Sequence, residues 1–595
     1  MPSTANTTAK TPAKGRKAPA EPESAPALDA ALADLATGSA TWSHLTIGQR
    51  ARLLDRVRAT VAANAEAWAD VAATSKGLEQ GHPLRGEEWL GGPYAALIAL
   101  DAYRRTLAAI AKGGSPLDGL KMDAAPGGRV RVHAFPLHPV DGLLLSGYTG
   151  EVWFQPGVTE GDAARTAGLG QLAPTKPGGI GLVLGAGNQS SIPVLDVFYE
   201  LLANNRVAIL KVNPTHDALV PVFERALAPL IDLGFLRIVT GGGDVGAYLT
   251  QHPRVAHVHI TGAAPTFDTI VWGPATGQGS AETKRRRAEN RPLLEKPITA
   301  ELGGVSPIIV VPGAWSEADL AFQAEHVTTM RLQNAGHNCI AGQVVILSAD
   351  WPQREAFLAA LEKAYAAAPM RSVWYPRSGE KLQAAASDYP SGRWFADGTR
   401  SLVEIEQGQD ASALERTEYF APVLGVVELP GLGQEFVDRA VAHANERLAG
   451  TLGANVLIDP ATQAALGSGF ENAMAELRYG AIAINAWTAF AFLQPTLTWG
   501  GFPGATIDDV GSGIGIVHNA LLLDRVERTV VRGPFRPFPR SASAIGRPGT
   551  FSVLPKPPWF VSSRTGAAVS EGFTRFQMTH DWIGMGKTLL QAFRA

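Results

Sequence analysis

The apolar residues of this chain follow different periods in three successive regions. Over residues 28–112 they recur at helical spacing, which predicts a set of amphipathic helices. Over residues 113–178 glycine and proline are frequent, and the alternation of Arg129–Phe135 predicts a half-exposed strand. From residue 179 onward, short apolar runs alternate with helical segments, which predicts parallel sheets covered by helices.

Glycine-rich turns at residues 185–188 and 241–246 follow two predicted strands of the first α/β unit and precede helical segments. Glycine lets backbone N–H groups approach a phosphate closely, and a helix N-terminus attracts negative charge. One such turn is weak evidence, but several in the same unit favour a nucleotide-binding site. The strands of this unit are predicted at residues 180–184, 207–211, 236–239 and 255–260.

Composition narrows the classes of protein to consider. A chain of 595 residues with 46% hydrophobic and 18% charged residues is long enough for two or three domains. Its net charge of −3 predicts no general attraction to nucleic acid or to a membrane surface. No apolar run reaches the ~20 residues that span a bilayer. A single cysteine cannot form an internal disulfide, so a reducing, cytoplasmic setting is expected. The 13 histidines form no ligand-like pairs, so no metal site is predicted.

Cys339 is the single cysteine of the sequence and lies in a loop of small and polar residues, G-H-N-C-I-A-G. It cannot form an internal disulfide, and a reducing compartment suits a reactive thiol. Glu301 lies upstream on another predicted turn, so the two groups could face each other across a cleft. In such a pair the thiolate attacks a carbonyl and the carboxylate later activates water. A buried structural cysteine and a solvated glutamate explain the spacing equally well.

The residues around this pair resemble the aldehyde dehydrogenase superfamily. E-L-G-G-x-S-P is followed by G-x-x-C-x-A-G, and the similarity extends over about residues 41–532. It implies that Cys339 is the nucleophile and Glu301 the general base. Two positions depart from the family pattern: Val305 stands where lysine is usual, and His337 stands where glutamine is frequent.

Asn188 is a third residue to which the resemblance gives a role. It follows a strand and precedes a helix, where asparagine is an ordinary N-cap. The family has an asparagine at the matching place, usually in P-W-N, and its amide holds the developing oxyanion together with the backbone N–H of the nucleophile. This chain reads G-A-G-N there, and the same role is implied for Asn188.

The resemblance also implies a bound NAD or NADP. K-V-N-P places Lys211 at the adenosine ribose, and T-E-Y-F-A-P places Glu418 at the nicotinamide ribose with Phe420 against the cofactor. Pro214 stands where NAD-preferring members often carry glutamate, which leaves NADP open. Phe267 stands where the family often has glycine, so altered packing of the pyrophosphate or adenine is expected. The other implied cofactor-binding residues are Gly246, Thr261, Gly262, Ala263 and Leu302.

Pattern and resemblance together predict an α/β fold of the aldehyde dehydrogenase type. It combines a Rossmann-like parallel-sheet cofactor domain, an α/β catalytic domain and a small oligomerisation element. The V-E-R-T-V-V-R segment is expected to be an edge strand that joins subunits into a homodimer or homotetramer. The predicted divisions are a disordered tail at 1–27, an NAD(P)-binding domain with N-terminal helices at 28–298 (113–178 left open as part of an oligomerisation arm), a catalytic domain at 299–518, and an oligomerisation strand with a C-terminal extension at 519–595.

Two further segments bear on partners. Five aromatic residues within 486–503 would line an aldehyde tunnel, which suits an apolar or aromatic substrate, although core packing explains them equally well. The K-R-R-R run within residues 273–297 is interpreted as a solvated loop rather than an RNA site.

The expected reaction is the oxidation of an aldehyde to a carboxylic acid with NAD(P)+, through a thioester at Cys339 that Glu301 helps to hydrolyse. Family members that pass the acyl group to coenzyme A commonly lack this base, so an acylating enzyme is the second reading. A cofactor-free cysteine hydrolase would leave the glycine-rich half without a purpose. A non-catalytic scaffold stays open because of G-A-G-N and Phe267.

Overall fold

The computed structural model describes residues 22, 24–277, 279–406, 408–544 and 551–595. Helix α2 begins at a reciprocal cap in which Thr46 accepts a hydrogen bond from the amide of Gln49, and the Gln49 side chain bonds back. Of the disordered tail predicted for 1–27, residues 1–21 and 23 lie outside the described residues, and a helix already begins at Ala25. The N-terminal helices are α1 Ala25–His44, α2 Ile47–Ser75, α3 Gly86–Trp89 and α4 Ala95–Ala111.

A small antiparallel arm follows the N-terminal helices. Its middle strand is the one that alternation predicted, and it pairs with a strand on either side. The arm consists of β1 Met122–Ala125, β2 Arg129–Phe135, α5 Pro139–Leu144, β3 Thr149–Phe154 and α6 Glu160–Thr166.

The first sheet is the parallel unit predicted from the strand–helix alternation. Its elements are β4 Ile180–Leu184, α7 Ile192–Asn204, β5 Val207–Lys211, α8 Val220–Ala226, α9 Ala228–Ile231, β6 Leu236–Val239, α10 Gly243–Gln251, β7 Val255–Gly262, α11 Ala264–Trp272, α12 Ser280–Ala288 and β8 Ile298–Leu302. The strand order is β6-β5-β4-β7-β8. The chain leaves β4 toward one edge and returns to β7 on its other side, and the crevice at such a switch point is where open α/β sheets bind ligands.

Two sequence predictions about this region were wrong. The stretch around Glu301, expected to be a polar turn at the start of the catalytic domain, is strand β8, which pairs with β7. The first sheet therefore continues past the predicted boundary at residue 298. The basic run expected in a loop lies on α12, where its charges are paired: Arg285 and Arg286 contact Glu282, and Arg287 contacts Asp268.

The second sheet is larger. The elements that follow β8, up to the C-terminal extension, are β9 Ser306–Val310, α13 Glu317–Leu332, β10 Gly342–Ser348, α14 Arg354–Ala367, α15 Ser378–Asp388, β11 Arg393–Phe395, β12 Arg400–Glu404, α16 Ser412–Arg416, β13 Val423–Leu429, α17 Gly433–Arg447, β14 Gly453–Leu457, α18 Pro460–Leu466, α19 Ser468–Glu476, β15 Ala481–Ile484, α20 Thr488–Leu493, β16 Gly513–Ile514 and β17 Val526–Arg532. The order is β1-β2-β3-β17-β15-β14-β9-β10-β13-β12-β11, while β16 pairs with β8 of the first sheet.

Strand β17 lies inside the second sheet, between β15 and β3 of the same chain. The prediction of an edge strand was therefore wrong. Val530 and Val531 are fully buried, and Arg528 is buried with its guanidinium donating to the carbonyls of Met474 and Leu477. The polar residues that suggested a solvent face are buried and bonded, which the sequence period alone does not reveal.

The C-terminal extension packs on the body of the protein through α21 Gly566–Thr579 and α22 Trp582–Ala592. α21 crosses α3 so closely that a Cβ on Gly86 would lie 2.7 Å from Cα of Ala567, so this crossing requires glycine. Among the helices of the described residues, none has the length and apolar character to cross a bilayer.

Candidate active site

The loop that carries Cys339 has an unusual backbone. Between α13 and β10, Asn334, Ala335 and Gly336 all have positive φ values, 53°, 54° and 73°. Alanine in this region costs about 1–2 kcal/mol, so neighbouring contacts must hold the loop. The amide of Asn334 donates to Glu87 at 3.1 Å, and its side-chain nitrogen donates to the carbonyl of His337 at 3.1 Å. Cys339 itself is a free, partly buried thiol.

Glu301 lies on β8 of the first sheet and contacts Cys339, which lies in the loop before β10 of the second sheet. Glu301 is 3% exposed on β8, and the indole Nε1 of Trp499 donates to its Oε1 at 3.1 Å. Burial raises the pKa of Glu301 to about 7, although the hydrogen bonds from Trp499 and Cys339 oppose the rise. Burial, together with the neighbouring Glu301 carboxylate, raises the pKa of the Cys339 thiol well above its ordinary value. The thiol therefore rests protonated beside an acceptor that can take its proton near neutral pH.

Asn188 and Cys339 line one cavity, and Asn188 lies on the turn between β4 and α7. Its Nδ2 donates one hydrogen bond to the carbonyl of His337 at 3.0 Å. A side-chain amide has two N–H donors, so a second donor remains for a ligand oxygen near Cys339. The structure thus brings together the three residues predicted as catalytic.

A buried charged cluster supports this turn, and sequence reasoning missed it. Lys76, from the end of α2, donates to the backbone carbonyl of Asn188 at 2.8 Å and to Glu88 at 2.9 Å. Arg371 pairs with Glu87, which also accepts the amide of Asn334. The N-terminal helices, to which the sequence gave no chemistry, therefore fix both loops of the site.

The thiol faces a cavity with mainly apolar walls. Aromatic residues predicted in the 486–503 segment form much of it, while Leu90 and Gly91 come from a π-helical turn before α4. Trp559 of the C-terminal extension forms part of the wall and packs near Phe490, an unpredicted contribution. Ile192 and Ile340 also line the cavity. Its aromatic residues are Trp487, Phe490, Phe492, Trp499 and Trp559.

The residues expected at a cofactor gather around the carboxyl ends of the first-sheet strands. Lys211 ends β5, and burial lowers its pKa while Asp217 and Asp244 favour its charge. Gly262 and Ala263 are exposed beyond β7. The exposed N-terminus of α10, at Gly243, has no side-chain cap and open space beside it, which suits a phosphate.

Three other predicted cofactor residues have side chains that differ in accessibility. Glu418 has a buried Oε1 without a hydrogen-bond partner, which leaves an acceptor for a hydroxyl. Burial raises the pKa of Glu418 to about 8, with the Glu301 charge contributing. Phe420 is partly buried with φ 48° and accepts a hydrogen bond from His337 at its carbonyl. The side chain of Leu302 is buried in a small core.

Thr261, Gly246 and Phe267 occupy different environments around β7. The Thr261 hydroxyl points inward and donates to Asp196, and Gly246 lies within the first turn of α10. Phe267 is fully buried with Ile260 on the underside of α11. The expectation that its ring alters the packing of a cofactor was therefore wrong, because Phe267 on α11 packs into the core.

Among the described residues, no group of three or more histidine, cysteine, aspartate and glutamate side chains is arranged to hold a metal ion.

Comparison with known proteins agrees with this geometry. Residues 175–377 match the family model of the aldehyde dehydrogenase family, a segment that contains Asn188, Glu301 and Cys339. Betaine aldehyde dehydrogenase of Cereibacter sphaeroides is 27% identical over 300 residues, which cover 47% of this chain and 53% of that protein. The chain thus spans about half the length of the curated relatives it matches.

Solved structures share the fold across most of the chain. An NAD-dependent aldehyde dehydrogenase from Sinorhizobium meliloti has a TM-score of 0.56 at 17% identity, covering 84% of this chain and 85% of that chain. A mutant of aldehyde dehydrogenase C from Pseudomonas syringae, complexed with NAD+ and octanal, has a TM-score of 0.55 at 17% identity, covering 85% and 88%. The predicted fold class is confirmed: the chain shares the fold of these aldehyde dehydrogenases and matches the family model over residues 175–377.

Proposed function

We propose that this protein oxidises an apolar or aromatic aldehyde to the carboxylic acid with NAD+ or NADP+. The observation that carries the proposal is that Cys339 and Asn188 line one apolar cavity beside the switch point of a parallel sheet, while Glu301 contacts the Cys339 thiol. The family match and the nicotinamide- and octanal-bound neighbour support it.

The residues at the strand ends fit a dinucleotide. The open N-terminus of α10 would bind a phosphate, Lys211 would bind the adenosine ribose, and Glu418 would bind the nicotinamide ribose. Gly246, Thr261, Gly262, Ala263, Leu302 and Phe420 would complete the contacts through backbone or ring. When bound, the nicotinamide would supply the hydride acceptor.

Covalent chemistry starts with the transfer of the thiol proton of Cys339 to a base, for which Glu301 is in hydrogen-bond contact. The thiolate attacks the aldehyde carbon. The amide of Asn188 and the backbone N–H of Cys339 hold the oxygen as it becomes negative, and one such donor lowers the barrier by about 2.7–4 kcal/mol. After hydride loss the sulfur carries a thioester.

Glu301 first gives the thiol proton up to solvent. It then removes a proton from the water that attacks the thioester, which releases the carboxylic acid and the thiolate. The indole of Trp499 orients the carboxylate for this step. The apolar lining of the cavity favours a substrate with a ring or an alkyl chain over a charged one.

The test is a burst experiment with Glu301→Gln on a panel that includes octanal and benzaldehyde, with both cofactors. We expect one equivalent of reduced cofactor per site, followed by turnover at least about 100-fold slower than that of the unmodified enzyme. Cys339→Ala should remove the burst, and its failure to do so would contradict the proposal. Unchanged steady turnover in Glu301→Gln would exclude Glu301 as the hydrolytic base, and acceleration by coenzyme A would favour the acylating reaction instead.

A further inference from the structure

One wall of the cavity at Cys339 carries a row of three side-chain amides, those of Gln189, Asn338 and Gln333. Gln189 follows Asn188 in the chain and Asn338 precedes Cys339, so two members of the row are direct neighbours of the residues that would hold the aldehyde oxygen. The rest of the lining consists mainly of aromatic and aliphatic side chains. Amides in such a wall lose contact with water, so each of their polar atoms requires a partner.

The hydrogen bonds of the row fix the direction in which each amide points. Nδ2 of Asn338 donates to the backbone carbonyl of Gln333 at 3.0 Å, and a backbone carbonyl can only accept. Oδ1 of Asn338 is therefore the acceptor of that side chain, and Nε2 of Gln189 donates to it at 2.8 Å. Nδ2 of Asn338 also donates to Oε1 of Gln333. Gln333 thus presents its oxygen to the row, and its nitrogen is left for another partner.

The side-chain nitrogen of Gln333 has no hydrogen-bond partner among the residues that the structure describes, although Gln333 is only 9% exposed. That nitrogen is not sealed in the core, and the cavity is the space that Gln333 borders. An amide nitrogen carries two N–H donors and accepts nothing. The cavity therefore contains donors for which the described part of the chain supplies no acceptor.

The other end of the row is closed to ligands. Oε1 of Gln189 is buried and has no partner among the described residues, and a Cβ on Gly91 would lie 2.2 Å from it. The absence of a side chain at Gly91 is thus what leaves room for this oxygen. An unpaired buried acceptor costs free energy, and apolar side chains would fill the same wall without that cost. Proteins retain such unfavourable groups mainly at functional sites.

We propose that Gln333 is a specificity-determining residue that donates a hydrogen bond to an oxygen atom of the aldehyde substrate. This inference rests on the proposed function and narrows its substrate class to apolar or aromatic aldehydes that carry a neutral acceptor, such as an ether, hydroxyl or keto oxygen. An anionic acceptor fits less well, because Glu301 contacts the thiol of the same cavity and no lysine or arginine is among the described residues that line it.

A donor in an apolar wall also selects against substrates that lack the acceptor. When an ethyl-substituted ring displaces the water at Gln333, the N–H groups of the amide stay unpaired. A buried polar group that is left unpaired in this way discriminates more strongly than an apolar pocket discriminates by one methylene. An ether oxygen and a methylene are nearly equal in size, so a comparison of methoxy with ethyl compounds separates the hydrogen bond from the fit of the cavity.

The experiment compares methoxybenzaldehydes with ethylbenzaldehydes, each substituted at ring position 2, 3 or 4, in the unmodified enzyme and in Gln333→Met. Methionine has nearly the length of glutamine but no N–H donor, and Asn338 can still donate to the backbone carbonyl at position 333. The oxygen preference is kcat/KM for the methoxy compound divided by kcat/KM for the ethyl compound. The electronic effect of a methoxy group is the same in both proteins, so a change in this preference reports the Gln333 amide. Gln383→Met, at an exposed glutamine on α15, is the control.

At one ring position or more, we expect the oxygen preference of the unmodified enzyme to exceed that of Gln333→Met at least about fivefold. Gln383→Met should keep the preference of the unmodified enzyme. Equal preferences in the unmodified enzyme and Gln333→Met at all three positions would overturn the inference while leaving aldehyde oxidation, and hence the proposed function, intact. Absence of reduced cofactor with every aldehyde would overturn the proposed function, and this inference with it.

A binding measurement on the unmodified protein covers the case in which Gln333→Met does not fold. Methoxyacetophenones and ethylacetophenones carry no hydrogen on the carbonyl carbon, so they occupy the cavity without being oxidised. Isothermal titration calorimetry should give a Kd for at least one methoxy compound that is about fivefold lower than that of its ethyl partner. Equal Kd values within all three pairs would contradict a hydrogen bond from Gln333.

Discussion

At the scale of single residues, the acidic groups of the site hold their protons to a higher pH than they would in water. Burial raises the pKa of both Glu301 and Glu418, and that of the Cys339 thiol rises with them. The reason is that a low-dielectric cavity penalises each negative charge. The same environment strengthens the interaction of any cation or dipole that enters the cavity.

Glu301 should impose a pH dependence on turnover. Glu301 acts as a base only when it is deprotonated, and its pKa is about 7. The rate of the linear phase, which is the steady turnover after the burst, should therefore rise with pH through about 7 and then level off. The rate of the linear phase against pH checks this, with the burst amplitude as the internal reference for active enzyme. A linear phase that is independent of pH between 5 and 9 would contradict the assignment.

Glu418 should make the protein less stable at alkaline pH. Its folded pKa of about 8 exceeds the ordinary 4.5, so the folded state retains a proton that the unfolded state has lost. The free energy of unfolding therefore falls between pH 4.5 and about 8 and is flat above this window. Glu418→Gln should remove that loss and be more stable than the unmodified protein at pH 9 by more than about 1 kcal/mol.

Denaturant unfolding at pH 5 and pH 9 measures the effect, and Glu435→Gln, at an exposed glutamate, is the control. A stability difference that does not change with pH would exclude a buried, protonated Glu418.

Asn188→Ala should lower kcat about 10²–10³-fold, because one oxyanion donor is lost. Since its Nδ2 also holds the carbonyl of His337, thermal unfolding should be measured beside the kinetics. Asn64→Ala, at an amide on α2 remote from the cavity, provides the control. A normal kcat in Asn188→Ala would remove Asn188 from the oxyanion site.

The sequence was informative about residues only where chemistry and motif coincide. Cys339 and Glu301 could be found because the sequence contains a single cysteine and an E-L-G-G motif. Lys76 could not be found, because it lies at a helix end that carries no motif and contacts Asn188 from 112 residues away in the sequence. Asp196 was hidden inside a helix whose other buried residues are mostly apolar.

At the scale of elements, alternation located most strands but not their neighbours in the sheet. The α/β order after residue 179 predicted parallel sheets, and the first sheet has that arrangement. The crossover after β5 is divided into a 3-10 turn at Pro214–Leu219 followed by α8 and α9, since Pro221 and Pro229 remove backbone donors. The burial of β17 depends on pairing with β3, and long-range pairing leaves no local signal.

The extension after β17 contributes an element to the substrate cavity. Trp559 lies 5.8 Å from Tyr148 and 6.3 Å from Phe490, measured between ring centroids. Trp559→Leu should enlarge the cavity, so the ratio of kcat/KM for 2-naphthaldehyde to that for benzaldehyde should rise. Phe560→Leu, the adjacent residue, packs on Phe322 away from the cavity and should leave this ratio unchanged. Equal ratios in the two variants would exclude the extension from substrate selection.

At the scale of the whole molecule, the site lies where three parts of the chain meet. The N-terminal helices fix its loops, the first sheet supplies Glu301 and Asn188, and the second sheet follows the loop of Cys339. No single segment would retain the geometry: residues 175–377, which match the family model, contain Asn188, Glu301 and Cys339 but not Trp487, Phe490 or Trp559 of the cavity wall.

A dinucleotide should therefore stabilise the complete protein. A ligand that binds only the folded state at 100 times its Kd adds about 2.7 kcal/mol to the free energy of unfolding. Thermal unfolding with NAD+ and with NADP+ should show an upward shift in Tm for the cofactor that binds. Lys211→Ala should reduce that shift, and Lys284→Ala, on α12, should not. No shift with either nucleotide would contradict the proposed cofactor site.

The interior position of β17 also constrains how the protein is made. β3 emerges from the ribosome early, yet its partner β17 is synthesised more than half a chain length later, because Val152 pairs with Thr529. The early hairpin of β2 and β3 must therefore wait with one edge open, where it can pair wrongly with other nascent chains. The yield of folded protein in cells should therefore depend on chaperones that shield this edge until translation has passed Arg532.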